Sequence, residues 1–207
     1  MKLAVDVMGS DRGPGTVVLG AVDAVKELGI DVVLVGDEDV INKTLADNGC
    51  GSSESIEVRH ASEVITMEDH AMEAVRRKKD SSMICAIKMV KEGAVQAMIT
   101  AGSTGAAFVA GITFLGRLHG VRTPTLATFL PSETGRDVCL ADCGANVDCK
   151  PDRLAGFAQL AVALMQSYGV EKPRVGLLSV GVEEGKGSHF VQEAYELLAQ
   201  LPINFAG

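Results

Sequence analysis

The feature that most restricts the fold is a rhythm in which short apolar runs alternate with longer amphipathic stretches. A loop rich in Gly and polar residues follows most of the runs. Strands are predicted at residues 2–7, 31–35, 56–60, 97–100, 125–129, 138–142, 174–179 and from 203 onward. Helices are predicted at 16–28, 36–48, 68–79, 82–92, 104–115, 151–168 and 188–200. Local signals support them. Val18, Val22 and Val25 recur on one helical face, and Gly29, Gly49 and Gly93 stand where helices close. A Ser caps the 82–92 helix, and Pro151 suits the first position of its own. Strands joined by helices are joined by crossovers, which favour parallel pairing. The expected fold is α/β: three layers, a mostly parallel sheet with helices on both faces, one domain over 1–207. The run from 203 stops before the helix that the rhythm would add, so the sequence reads as part of a longer α/β protein.

Composition narrows the function classes. Of 207 residues, 47% are apolar and 22% charged, which suits a packed core and argues against disorder. A net charge of −8 disfavours a nucleic-acid surface, so no such partner is expected. The N-terminal MKLAVDVMGSDRG is too short for a signal peptide, and no window reaches the roughly 18 apolar residues of a membrane span. The expected location is cytoplasmic. Cys50, Cys85, Cys139, Cys143 and Cys149 form neither a secreted scaffold nor a zinc spacing, so reduced, buried or half-buried thiols are expected and no metal.

In open parallel sheets ligands sit beyond the carboxyl ends of the strands. Four strand-to-helix loops there are polar and Gly-rich: residues 6–11, 101–105, 142–150 and 179–187. They are expected to converge on one cleft. The segment MITAGSTGAAFVAG, residues 98–111, runs from a strand through a Gly-Ser-Thr-Gly turn into an Ala-rich helix. Backbone N–H groups at such a turn can hold an anion. The turn alone is equally a tight bend that needs Gly. Nucleotide fingerprints are absent: Val18 stands where G-x-G-x-x-G needs Gly, and no G-x-x-x-x-G-K-[ST] occurs. No cofactor is therefore expected. Asp142, Asn146, Asp148 and Lys150 crowd a nine-residue loop, either as Asx turns or as a site. The run Arg76-Arg77-Lys78-Lys79 is a solvated helix face, a phosphate clamp or a landing patch for an acidic partner. His70, six residues before that run, is the only His among other candidates.

Taken together the loops resemble the PlsX-type phosphate acyltransferase family of bacteria. VDVMGSDRGP is similar to its N-terminal D-A-M-G-G-D-x-x-P signature, and HAMEAVRRKKDSSM to its basic-helix motif. ITAGSTGA, DCGANVDCKP and RVGLLSVGVEEGKG resemble its S-A-G-N-T-G-A loop, its D-x-G-A-N-x-D-x-K-P segment and its later Gly-rich loop. Ser10 and Ser103 stand where the family usually has Gly and Asn. The resemblance implies a fold like phosphotransacetylase and the isopropylmalate dehydrogenases. It implies transfer of a fatty acyl group from acyl carrier protein to inorganic phosphate, giving acyl phosphate for phosphatidic acid and phospholipid synthesis. It also implies a homodimer with peripheral membrane contact. Site residues follow motif by motif. Gly102, Ser103, Thr104, Gly105, Arg76 and Lys79 are assigned to phosphate. Asn146, Asp148, Lys150 and His70 are assigned to catalysis, and Asp6, Gly9 and Asp11 to the supporting loop. Alternatives are a phosphotransacetylase- or dehydrogenase-like enzyme on the same fold, or an inactive fragment.

Overall fold

The structure is a computed structural model that describes residues 1–50, 53–133, 135–146, 148–179 and 189–207. Two compact units are present, Met1–Gly116 and Arg117–Gly207.

The first unit is built on four parallel strands in the order β3–β2–β1–β4: β1 (Lys2–Asp6), β2 (Asp31–Gly36), β3 (Ile56–His60) and β4 (Ala97–Thr100). Side-chain alternation divides its core between two faces. Val5, Val32 and Leu34 pack with Val18, Val22, Ile41 and Leu45 from α1 (Pro14–Leu28) and α2 (Glu38–Asp47). Ala4, Val33 and Val35 face the other way, with Ala86 of α4 (Ser82–Lys91). Helices therefore cover both faces of a parallel sheet, as the apolar, β-branched strands require. α3 (Ala71–Arg77) and α5 (Thr104–Ala110) share a further apolar cluster with α4.

Helix ends follow capping chemistry. α1 begins at Pro14, two residues before the predicted start, because Gly13 (φ 79°) turns the chain and Pro takes the first position. Its end is as predicted, with Gly29 left-handed at φ 61°. Asp37 caps α2 by accepting from Asp39 N and Val40 N. α3 is shorter than predicted, since the Asp69 carboxylate accepts from Thr66 N and Lys78 Nζ and fixes a turn there. Ser81 has the backbone of an N-cap, yet its buried hydroxyl has no partner among the described residues. The predicted 104–115 helix is α-helical to Ala110 and then a π-turn at Gly111–Leu115, closed by Gly116 N to Gly111 O.

The second unit differs more from the prediction. β5 (Ala127–Leu130) and β6 (Val138–Ala141) pair antiparallel, because no crossover helix separates them. α6 (Pro151–Ser167) packs on β6 and on α7 (His189–Ala199). β7 (Arg174–Val175) pairs in parallel with β8 (Asn204–Phe205) and is shorter than predicted, matching its two-residue partner. Most of the 179–187 loop and residue 188, the expected start of the last helix, lie outside the described residues. No helix among the described residues is long and apolar enough to cross a membrane.

Leu34, fully buried in the sheet, and Leu28, 68% exposed at the end of α1, test this packing. Leu34→Ala is expected to cost about 2–5 kcal/mol. Leu28→Ala is expected to cost less than about 0.5 kcal/mol, both read from urea unfolding.

Candidate functional site

In the first unit the chain runs β1 to β2 to β3 in one direction, then returns to place β4 on the other side of β1. The loops after β1 and β4 therefore leave the sheet at its topological switch point, where open α/β sheets bind ligands. Strand register sets Asp6 opposite Thr100 at the carboxyl ends. Asp6 is buried, so its carboxylate needs partners. It accepts from Thr100 Oγ1 at 2.7 Å and from Met8 N at 3.3 Å. The same Thr100 oxygen accepts from Gly102 N at 3.0 Å. One carboxylate thus ties both loops to the strand ends through a single hydroxyl.

The loops meet glycine on glycine. A Cβ built on Gly9 would lie 2.9 Å from Gly102 Cα and 3.0 Å from Asp6 Oδ2. One on Gly102 would lie 3.2 Å from Gly9 Cα. These positions need Gly for space, not for φ. Among the described residues the N–H groups of Ser103, Thr104 and Gly105 donate to nothing, nor do those of Gly9, Ser10 and Asp11. Ser103 uses its hydroxyl as the N-cap of α5, accepting from Ala106 N at 3.3 Å. Ser10 carries no positive φ, and its hydroxyl accepts from Arg12 N.

α3 packs against α5, with Ala71 Cβ 3.7 Å from where a Gly105 Cβ would be. This places His70, the N-cap of α3, next in chain to that contact. The basic run divides by partner. Arg77 pairs with Glu73 at 2.8 Å, and Lys78 pairs with Asp69 at 2.6 Å while also donating to Val64 O. Lys79 donates to Val75 O and lies over Phe114, ten residues beyond Thr104 along the α5 and π-turn segment. That is a rise of roughly 15 Å. Arg76 is exposed and has no partner among the described residues, which makes it the available cation of the two assigned to phosphate.

In the second unit a carboxylate plays a similar part. Asp142 Oδ1 accepts from Leu126 N at 2.7 Å and Thr125 Oγ1 at 3.0 Å. Its Oδ2 accepts from Asn146 N at 2.9 Å and Gly144 N at 3.2 Å. Burial works to raise its pKa, but these four hydrogen bonds outweigh burial and hold the carboxyl below the usual carboxylate range. Asn146 also spends an amide N–H on Pro124 O at 3.1 Å. Beside this loop lies a pocket of about 590 Å³ lined by Asn146, Asp148, Cys149 and Lys150 and, on its apolar wall, by Leu154, Phe157 and Phe190. The side chains of Asp148 and Lys150 are exposed and form no hydrogen bond or ion pair among the described residues. Burial pushes the Cys149 thiol up, with Asp142 adding to it. Among the described residues no three His, Cys, Asp or Glu side chains gather as a metal site would require.

The sequence motifs therefore resolve into groups. Asp6, Gly9, Gly102, Ser103, Thr104 and Gly105 come together in the first unit, while Asn146, Asp148 and Lys150 share one pocket in the second. Asp11 is exposed in the turn after β1. Thr100, which joins Asp6 to Gly102, and the apolar wall of the pocket were not among the sequence candidates. The only signal for Thr100 was a hydroxyl residue at the end of the strand before the turn.

The model of the family described as fatty acid synthesis protein matches residues 1–207. The chain is similar to the phosphate acyltransferase of Oceanobacillus iheyensis, 44% identical over 208 residues, covering all of this chain and 61% of that protein. Phosphate acyltransferases of Dictyoglomus turgidum and Clostridioides difficile are 44% and 40% identical, and the chain spans 62% and 61% of them. Among solved structures, the fold is similar to EutD phosphotransacetylase from Staphylococcus aureus, with a TM-score of 0.70 at 19% identity, covering all of this chain and 68% of that one. A branched-chain phosphotransacylase from Enterococcus faecalis gives a TM-score of 0.67 at 17% identity, with the same coverage.

Gly9→Ala forces the two loops apart and is expected to cost about 1–3 kcal/mol. Gly20→Ala, in open space on α1, is expected to be neutral or stabilising by up to about 1 kcal/mol in the same unfolding assay. Because the folded pKa of Asp142 is depressed, its contribution is complete above the usual carboxylate range and is lost as pH falls through the folded value. The amide protons of Leu126 and Asn146 should therefore titrate by NMR only on the acid side of an ordinary Asp. Titration at or above the ordinary value contradicts the network.

Proposed function

The chain belongs to the family described as fatty acid synthesis protein, and from that membership we propose that it serves an acyl-carrier-protein:phosphate acyltransferase. In the proposed reaction an oxygen of inorganic phosphate attacks the thioester carbonyl carbon, a C–O bond forms, and a tetrahedral oxyanion develops. The C–S bond then breaks, the carrier leaves as thiolate and takes up a proton, and acyl phosphate is released for phosphatidic acid and phospholipid synthesis. Phosphate is itself the nucleophile, so catalysis reduces to holding it and stabilising the oxyanion.

The observation that carries this reading is the Gly9–Gly102 approach at the switch point, beside unclaimed N–H groups of Ser103, Thr104 and Gly105. Those donors and Arg76 are assigned to phosphate, with Asp6, Gly9 and Asp11 supporting the loop. Lys79 is the weaker of the two cations for this task, since it already lies on Phe114. Asn146, Asp148 and Lys150 are assigned to orienting and polarising the acyl donor, and His70 is retained with them. The wall of Leu154, Phe157 and Phe190 is the surface that a fatty acyl chain requires. A homodimer, a cytoplasmic location and peripheral membrane contact belong to the same proposal. No metal or cofactor takes part in it.

The test is phosphate-dependent consumption of acyl carrier protein thioester by the protein at the relatives' full length. Asn146→Ala and Lys150→Ala are each expected to lower the rate about 100-fold. Unchanged rates would remove both residues from catalysis. Turnover of acetyl-coenzyme A but not of the carrier thioester would favour a phosphotransacetylase.

A further inference from the structure

Two lysines of the first unit converge on Phe114: Lys79, the weaker of the two cations assigned to phosphate, and Lys88, which has no role in that site. Lys79 Nζ is 5.3 Å and Lys88 Nζ 5.8 Å from the ring centroid, both in cation–π range. Each ammonium has three donors. Lys79 donates one hydrogen bond to Val75 O and Lys88 one to Lys79 O, at 3.2 and 3.0 Å. Neither has a carboxylate partner among the described residues. Capping the end of α3 explains why these side chains are held in place. It does not explain two like charges on one ring without a counter-ion among the described residues, in a chain whose net charge is −8. Lys91 lies at i+3 from Lys88 on α4, exposed, and extends the patch. The π-turn that carries Phe114 packs on α4 and leaves Ile112 36% and Leu115 50% exposed.

We infer that this corner, made by the ends of α3 and α4 and the π-turn, is a docking surface for an acidic protein that presents carboxylates around an apolar side chain. A free phosphate ion would make no use of Ile112 or Leu115. A membrane anchored by basic residues alone calls for a cluster of about 4–8 Lys and Arg, more than the three lysines of this corner. A small acidic protein face satisfies both the charges and the apolar residues. Under the proposed function that protein is the carrier of the acyl thioester, and in this respect the inference rests on that reading.

The test compares the wild-type protein with Lys88→Glu and with Lys91→Glu, the latter at an exposed site that keeps the test available if the first variant fails to fold. Three probes are used in binding: acyl carrier protein, phosphatidylglycerol vesicles and inorganic phosphate. Kinetics compare the carrier thioester with an N-acetylcysteamine thioester of the same acyl group. Expected are a rise of about tenfold in Kd and KM for the carrier protein, weakened further by salt, and a rate with the small thioester within about twofold of wild type. Unchanged carrier binding in the folded variants overturns the inference, as does a loss confined to vesicles or to phosphate. Absence of acyl phosphate with both donors refutes the functional reading, while the carrier-binding comparison still decides the docking surface.

Discussion

The arrangement of the first unit depends on the close approach of two backbones, Gly9 against Gly102, at the ends of neighbouring parallel strands. It is possible only because β4 returns to the free side of β1, so that two strand-to-helix loops leave the sheet side by side. The packing on both faces fixes the strands, the register sets Asp6 against Thr100, and the hydroxyl of Thr100 passes the constraint to Gly102. The turn at 102–105 thereby keeps its N–H groups turned to no protein acceptor among the described residues. A side chain larger than hydrogen at either glycine would act first on the backbone and only then on anything the turn binds.

The two units use the same device. Asp6 ends β1 and Asp142 follows β6, and in each case a carboxylate accepts from backbone and hydroxyl donors of the loops around it. Such a group organises a site, and Asp142, which accepts four hydrogen bonds, is a poor candidate for proton transfer because its lone pairs are occupied. In the proposed reaction the chemistry falls to its neighbours: the N–H groups after Gly102 in one unit, and Asn146, Asp148 and Lys150 in the other. The side chains of Lys150 and Asp148 form no hydrogen bond or ion pair among the described residues.

Much of this could be read from the residues. The β-branched runs at 31–36 and 56–60 and the Pro and Gly at helix ends report local preferences, and these the fold obeys. The antiparallel β5–β6 pair was also signalled, since the few residues between its strands leave no room for a crossover helix, but the strand–helix rhythm was extended across it. Partnership was not legible. Nothing distinguishes Arg76 from Lys79 in the run RRKK until Glu73, Asp69 and Phe114 are placed around it. Thr100 gains its role from a register that only the folded sheet defines, and the π-turn that ends α5 early begins at Gly111 and packs on α4.

The central claim is that the turn following β4 binds inorganic phosphate through backbone N–H groups that Gly9 and Gly102 hold in place. The direct measurement is a phosphate titration of the 15N-labelled protein by amide NMR. The account predicts saturable shifts at Ser103, Thr104 and Gly105 that are lost in Gly9→Ala while the sheet resonances persist. Shifts confined to other residues, or equal shifts in Gly9→Ala, would contradict it.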